Sequence, residues 1–161
     1  MRLIQKKIKT AGALKKIIPG LKKQGKTIAF TNGCFDILHS GHVSYLQEAK
    51  KLADVLIVAV NSDGSVKRIK GRGRPVIKLK DRMWAVAALE SVDFVTYFEQ
   101  DTPLKIIKLL KPDILFKGKD WSKNKIVGKE VVESYGGRIM TLPYIKGQSS
   151  SKIINRIEKT F

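Results

Sequence analysis

A chain of 161 residues, 43% hydrophobic and 29% charged, has the make-up of one globular domain rather than of a fibrous or disordered chain. Its one cysteine, Cys34, excludes an internal disulfide framework or a cysteine-rich zinc module. No run approaches the length of about 18 apolar residues that would span a bilayer, and the basic N-terminus lacks a secretory pattern, so a cytoplasmic protein is expected. Lys and Arg total 32 against 14 Asp and Glu, and the net charge of +18 favours phosphorylated or polyanionic partners.

In chain order, Leu14, Ile17, Ile18 and Leu21 predict a helix over Ala11–Lys23. It belongs to a basic N-terminal segment, residues 1–25, expected to pack on or extend a single domain spanning 1–161. Lys26–Thr31 is a short apolar strand ended by the turn pair Asn32-Gly33. A helix over Val43–Ala53 has Leu46, Ala49 and Ala53 on one side. The unbroken apolar run Val55–Val60 is that of a strand buried on both faces of a parallel sheet. A basic, glycine-rich loop over Lys70–Pro75 and a helix over Asp81–Ser91 follow, with Trp84, Leu89 and Phe94 expected in the core. Phe94–Phe98 is the third strand, and Thr102-Pro103 caps and opens the next helix. Asp113–Lys117 and Arg138–Leu142 are the fourth and fifth strands, the latter preceded by Gly136-Gly137, and the last helix covers Ser150–Lys159. Five strands alternating with helices predict an α/β fold: a Rossmann-like, doubly wound, parallel five-stranded sheet with helices on both faces. Such sheets bind ligands beyond the carboxyl ends of their strands, where strand order reverses.

The positive charge is clustered. Nine basic residues and no acid precede Cys34. A second cluster, Lys67, Arg68, Lys70, Arg72, Arg74, Lys78, Lys80 and Arg82, has only Asp81 against it, and a third gathers Lys117, Lys119, Lys123, Lys125 and Lys129 around Asp120. No finger motif and no basic–aromatic sheet pattern accompanies these clusters, which disfavours nucleic-acid recognition. Most of the charge reads as solvated surface, the rest as lining for a phosphate site.

The segment after the first strand, Thr31-Asn-Gly-Cys-Phe-Asp-Ile-Leu-His-Ser-Gly-His42, matches neither common glycine-rich phosphate loop. It places the chain's two histidines, His39 and His42, as H-x-G-H at the start of a helix, whose unpaired N–H groups and positive dipole end favour anions. Two imidazoles beside such donors make a clamp for a phosphate that gathers charge during transfer. Cys34, His39 and His42 fall short of the four ligands of a structural zinc site. Cys34 reads as a small hydrophobe beside the sheet, and Asp36 as a turn or capping residue.

These residues resemble the signature of the cytidylyltransferase-like nucleotidyltransferase superfamily, and Gly147-Gln-Ser-Ser-Ser-Lys-Ile-Ile154 is similar to its second motif, a Ser/Thr cluster opening the last helix. Within the superfamily, most of the chain from Thr27 to Ile157 is similar to the nucleotidyltransferase domain of the ADP-heptose synthesis enzymes. The matching stretches include Ile57–Asp63, Val66–Arg68, Lys70-Gly71, Arg74-Pro75, Asp81–Met83, Ala88–Asp93, Asp101–Pro103 and Lys117-Gly118. The resemblance implies transfer of AMP from ATP to D-glycero-β-D-manno-heptose 1-phosphate, giving ADP-heptose and pyrophosphate. It implies catalytic histidines at His39 and His42. Thr31, Asn32, Gly33, Phe35, Lys70, Lys117, Gly118, Asp120, Ser149, Ser150 and Ser151 complete the nucleotide site, with Lys70 and Arg82 on the substrate phosphate. It further implies Mg²⁺ with ATP as co-substrate, a homodimer, and a heptose-phosphate kinase as a separate protein. Lys119 and Trp121 depart from the heptose enzymes' pattern, and Asp120-Trp121 is similar to glycerol-3-phosphate cytidylyltransferases instead. Tyr144 and Ile145 stand where those relatives carry an arginine. A cytidylyltransferase for a polyol phosphate is therefore the alternative reading, with a basic nucleic-acid-binding protein third.

Overall fold

The computed structural model describes residues 3–118, 126–143 and 149–160. Thirteen elements follow one another among them: α1 Ile4–Lys7, α2 Ala11–Lys23, β1 Ile28–Gly33, α3 Ser40–Lys51, β2 Val55–Asn61, α4 Asp63–Lys70, α5 Leu79–Ala88, β3 Phe94–Phe98, α6 Leu104–Leu110, β4 Ile114–Gly118, α7 Lys129–Glu133, β5 Arg138–Leu142 and α8 Ser150–Thr160. The five strands form one sheet in the order β3-β2-β1-β4-β5, every neighbouring pair parallel. This is the doubly wound α/β arrangement expected from the sequence.

Alternation along the strands sorts the apolar residues between the two faces. On one face Ala29, Leu56, Val58, Val60, Val95, Ile114 and Phe116 pack with Tyr45, Leu46 and Ala49 of α3 and Met83, Val86 and Ala87 of α5. On the other, Ile28, Phe30, Val55, Ile57, Ala59, Phe98 and Leu115 meet Leu14 and Ile18 of α2, Ile106, Ile107 and Leu110 of α6, and Val132 of α7. β2 lies between both layers, and all seven of its residues are buried. No helix among the described residues is long and apolar enough to cross a membrane.

The amino-terminal edge of the sheet carries a recurring device. Asp54, Asp93 and Asp113 each stand immediately before a strand, and each carboxylate accepts an N–H at the start of a neighbouring strand: Thr27 at 2.9 Å, Leu56 at 2.8 Å and Ile28 at 2.8 Å. Lys50 pairs with Asp93 and Lys22 with Asp113, both at 2.6 Å, tying α3 and α2 to the strand starts. Tyr135 lies at the same edge, beside Pro112 and Asp113. Burial and the nearby Asp113 charge push the Tyr135 phenol up to about 12, while its hydroxyl donates to the Pro112 carbonyl.

Several expectations are corrected. α4 occupies residues read as the approach to a loop, so Lys70 ends a helix and is exposed. Ser62 caps that helix by accepting from Ser65 N–H, and Gly71 ends it with φ of 91°, a conformation glycine adopts without a Cβ clash. α6 begins at Leu104, with Pro103 rather than Thr102 at the cap. Trp84 is 38% exposed, because it falls beside the buried stripe of Met83, Val86 and Ala87 rather than on it. Leu89 and Phe94 are half-buried against the core.

Candidate functional site

The order β3-β2-β1-β4-β5 reverses direction between β1 and β4, so this is the switch point at which a crevice opens. β1 and β4 are paired at Ala29↔Ile114 and Phe30↔Leu115 and, among the described residues, no further toward their carboxyl ends. Beyond the last pair, the Lys117 ammonium donates to Asn32 Oδ1 across the gap. Lys117 and Gly118 are buried at the end of β4; Thr31 is buried in β1 with its hydroxyl 2.9 Å from that of Tyr45. These positions bring Thr31, Asn32, Gly33, Lys117 and Gly118 to one end of the sheet. Asp120, like Lys119, Trp121, Tyr144 and Ile145, lies outside the described residues.

From β1 the chain turns sharply into α3. Phe35 takes φ of 48°, in the left-handed region that a bulky residue rarely adopts, so the surrounding contacts must hold it there. Its ring lies over Gly33, where an added Cβ would come within 3.0 Å of it, and packs against His42 with centroids 5.1 Å apart. The glycine in β1 thus leaves the space that the Phe35 ring fills.

His39 caps the amino end of α3 with its backbone, and its carbonyl accepts from His42 and Val43 N–H. One helical turn brings the two imidazoles together: centroids 3.9 Å apart, planes at 27°, stacked. The buried Gly41 lies between them in sequence. Nδ1 of both rings is buried with no hydrogen-bond partner among the described residues. Burial holds the His39 pKa below its usual 6.5; burial, then the neighbouring His39, bring that of His42 down to about 4. Two neutral imidazoles are therefore stacked at the positive end of a twelve-residue helix, an arrangement in which an arriving anion meets unspent donor capacity.

The serine cluster is drawn to this same loop from more than a hundred residues away in sequence. Ser150 Oγ donates to the Ile37 carbonyl at 2.9 Å and lies 3.3 Å from Ile37 N–H, while Ser149 Oγ accepts from Lys152 N–H and caps α8. Ser151 is exposed and receives the Arg74 guanidinium at 3.3 Å. Asp36 is 2% exposed and is no simple turn residue. One oxygen accepts from the N–H groups of Val76 and Ile77, both at 2.9 Å, and the other from Arg74 Nε at 2.6 Å. Burial pulls its pKa up, but the Ile77, Arg74 and Val76 hydrogen bonds outweigh this and leave it below the usual carboxylate value.

Arg82 is placed differently from the sequence expectation. It is 1% exposed, with Nε donating to the Ile77 carbonyl, one terminal nitrogen to the Cys34 carbonyl and the other to Asp63, at 2.9, 2.5 and 2.7 Å. Its guanidinium staples the ends of β1 and the 71–78 loop to α4. Lys70 is exposed at the end of α4. Cys34 is partly exposed rather than buried, and burial raises its thiol pKa against the pull of Lys70, Arg82 and Arg74. The sequence reading missed the Asp36–Arg74 pair, whose only local signal is an aspartate inside the first motif; its partner lies 38 residues onward.

Residues 30–156 match the family described as Cytidylyltransferase-like. The chain is 50% identical over 151 residues to the bifunctional protein HldE of Geotalea uraniireducens, covering 94% of this chain and 31% of that protein. It is 49% identical over 150 residues to the bifunctional protein HldE of Hahella chejuensis, covering 93% and 31%. The chain thus spans about a third of the length of these curated relatives. Among solved structures, the lipopolysaccharide core biosynthesis protein from Thermoplasma volcanium superposes with a TM-score of 0.63 at 29% identity, over 77% of this chain and all of that one. The pantoate-beta-alanine ligase of Francisella tularensis, at 19% identity and a TM-score of 0.59 over 94% of this chain and 77% of its own, shares the fold.

Proposed function

The chain belongs to the cytidylyltransferase-like family, and from that premise we propose that it transfers AMP from ATP to D-glycero-β-D-manno-heptose 1-phosphate, releasing pyrophosphate. The observation that carries the chemistry is the stacked His39–His42 pair at the start of α3, tied through Ile37 to the serine cluster of α8. Identity near 50% to the HldE proteins over most of this chain supports the sugar acceptor, as does the likeness to a lipopolysaccharide core biosynthesis protein.

An acceptor phosphate oxygen attacks the α-phosphorus of ATP in line. The bond from that phosphorus to the oxygen bridging to the β-phosphorus breaks, and pyrophosphate leaves with the electron pair. A sugar phosphate is already a competent nucleophile, so the protein's task is alignment and charge neutralisation. His39 and His42 hold the α-phosphate and the departing β-phosphate; Ser149, Ser150 and Ser151 present hydroxyl and backbone donors to the β- and γ-phosphates. Neutral in the free protein, the imidazoles gain affinity for a proton once a phosphate lies against them. Asn32, Gly33, Phe35, Lys117 and Gly118 line the approach of the nucleotide. Arg82 acts by fixing the loop, and Lys70, exposed at its border, meets the sugar phosphate.

Among the described residues no group of three or more His, Cys, Asp or Glu could hold a metal ion. These residues therefore do not fit a protein-ligated metal cage, and no step is routed through one. The divalent ion expected with ATP, Mg²⁺ in this proposal, is held by triphosphate oxygens and water. A homodimer and a kinase that phosphorylates the sugar complete the proposal.

The test is pyrophosphate release from the purified protein with Mg²⁺, crossing ATP and CTP with heptose 1-phosphate and glycerol 3-phosphate. Release only with ATP and the heptose phosphate is expected. Preference for CTP with the polyol phosphate would overturn the assignment of both base and acceptor.

A further inference from the structure

The second basic cluster was expected to offer Lys70 and Arg82 to phosphates, yet it is Arg74 that reaches between the two motifs. Arg74 comes from the 71–78 loop, is 13% exposed, and bonds in two directions: Nε to the buried Asp36 at 2.6 Å and a terminal nitrogen to Ser151 Oγ at 3.3 Å. Asp36 is fixed in turn by the Val76 and Ile77 N–H groups. A chain of contacts therefore runs from the histidine loop through one guanidinium to the first turn of α8. That helix needs such a hold. None of its residues is buried, and among the described residues its first turn is bonded to the rest of the protein through Ser150, which meets Ile37, and Ser151, which meets Arg74.

We infer that Arg74 is a positioning residue for nucleotide binding: anchored by Asp36, it sets the serine turn of α8 at the distance from His39 and His42 that a triphosphate spans. The inference rests on the reading of Ser149–Ser151 as a phosphate-binding turn. A planar fork is required, because a guanidinium can satisfy a carboxylate and a hydroxyl along separate N–H directions, whereas an ammonium is a single point charge on a flexible stem.

The test is a double-mutant cycle on nucleotide affinity, read by calorimetric titration of ATP and of CTP in the absence of any acceptor. Arg74→Ala and Ser151→Ala should each weaken binding about tenfold, or about 1.4 kcal/mol. The double variant should be little weaker than either, because one route carries both effects. Arg74→Lys should keep the ion pair with Asp36 and hence the wild-type melting temperature, yet not recover nucleotide affinity. In turnover assays Arg74→Ala should raise KM for the nucleotide and leave KM for the acceptor within about twofold.

Additive losses in the cycle, or full recovery of affinity by Arg74→Lys, would overturn the role assigned to the fork. So would unchanged affinity in Arg74→Ala with a lowered melting temperature, the pattern of a purely structural pair. Because binding is measured without acceptor, a wrong sugar leaves the cycle intact and shows itself only in the pyrophosphate assay. A wild-type protein that binds neither nucleotide overturns both.

Discussion

At the scale of single residues, His42 joins packing to chemistry. Its ring is wedged between Phe35 and His39, and burial has already depressed its pKa to about 4 from 6.5. Between those two pH values the unfolded chain binds more protons than the folded one, so stability rises with pH across the window. The contribution of His42 is present in full above about pH 6.5 and is lost as pH falls through about 4. His42→Gln removes the titration and should flatten the acid limb of a melting-temperature profile from pH 7.5 to 4.5. It should also lower turnover by at least about 100-fold, the scale on which a single preorganised donor acts. A variant with wild-type turnover would remove the histidine clamp from the mechanism. A phosphate beside the ring opposes the burial effect, so nucleotide binding near pH 6 should take up protons, seen as a buffer-dependent heat in calorimetry. The histidines and serines were legible in the sequence because their chemistry lies in side-chain type at helix starts. The burial of Arg82 and the Asp36–Arg74 pair were not, since a charged residue in a basic cluster carries no local mark of a partner far along the chain.

At the scale of elements, the sheet depends on how its strands begin. Asp113 bridges three of them: it leads into β4, accepts the Ile28 N–H of β1, and holds Lys22 of α2, while the Asp113 carbonyl accepts from Arg138 N–H at the start of β5. Asp113→Ala leaves the Ile28 amide without its carboxylate and should cost about 1–3 kcal/mol in urea unfolding. Nearby, Gly137 admits no side chain: an added Cβ would lie 2.6 Å from Val132 Cγ1 and 2.9 Å from the Val132 carbonyl oxygen. The backbone oxygen cannot step aside as a side-chain tip can, so Gly137→Ala should destabilise by about 1–3 kcal/mol. Gly12→Ala, where nothing lies within 4 Å, serves as the contrast in the same measurement and should be near neutral or slightly stabilising. Strand positions were readable because apolar runs of five to seven residues between helices have few other uses. The short helices were not. α4 buries only Ser65 and Val66 and α7 only Val132, too few apolar positions to establish a 3.6-residue period. In α4 the informative residues were Ser62 at the cap and Asp63 in the first turn, set against a run of charge that reads as loop.

For the whole molecule, the question is what a net charge of +18 does. Structural acids absorb little of it: Asp36, Asp63, Asp93 and Asp113 pair with Arg74, Arg82, Lys50 and Lys22. Lys15, Lys16 and Lys23 on α2 and Lys105 and Lys108 on α6 are exposed, as are Lys70, Arg72, Lys78 and Lys80 around the loop that carries Arg74. Surplus charge of one sign destabilises the compact state by self-repulsion and draws anionic ligands from a distance, and salt weakens both effects. Raising NaCl from 20 to 300 mM should therefore increase the melting temperature while lowering kcat/KM for the nucleotide several-fold. Because the stacked histidines and the serine turn act at contact distance, kcat itself should change less than twofold. If kcat/KM stays constant across that range, the surface charge has no part in substrate capture, and its role is to be sought away from the site. If kcat and kcat/KM fall together, salt is weakening a contact inside the site, and the Arg74–Asp36 fork, only partly shielded from solvent, is the first place to test with Arg74→Lys under the same salts.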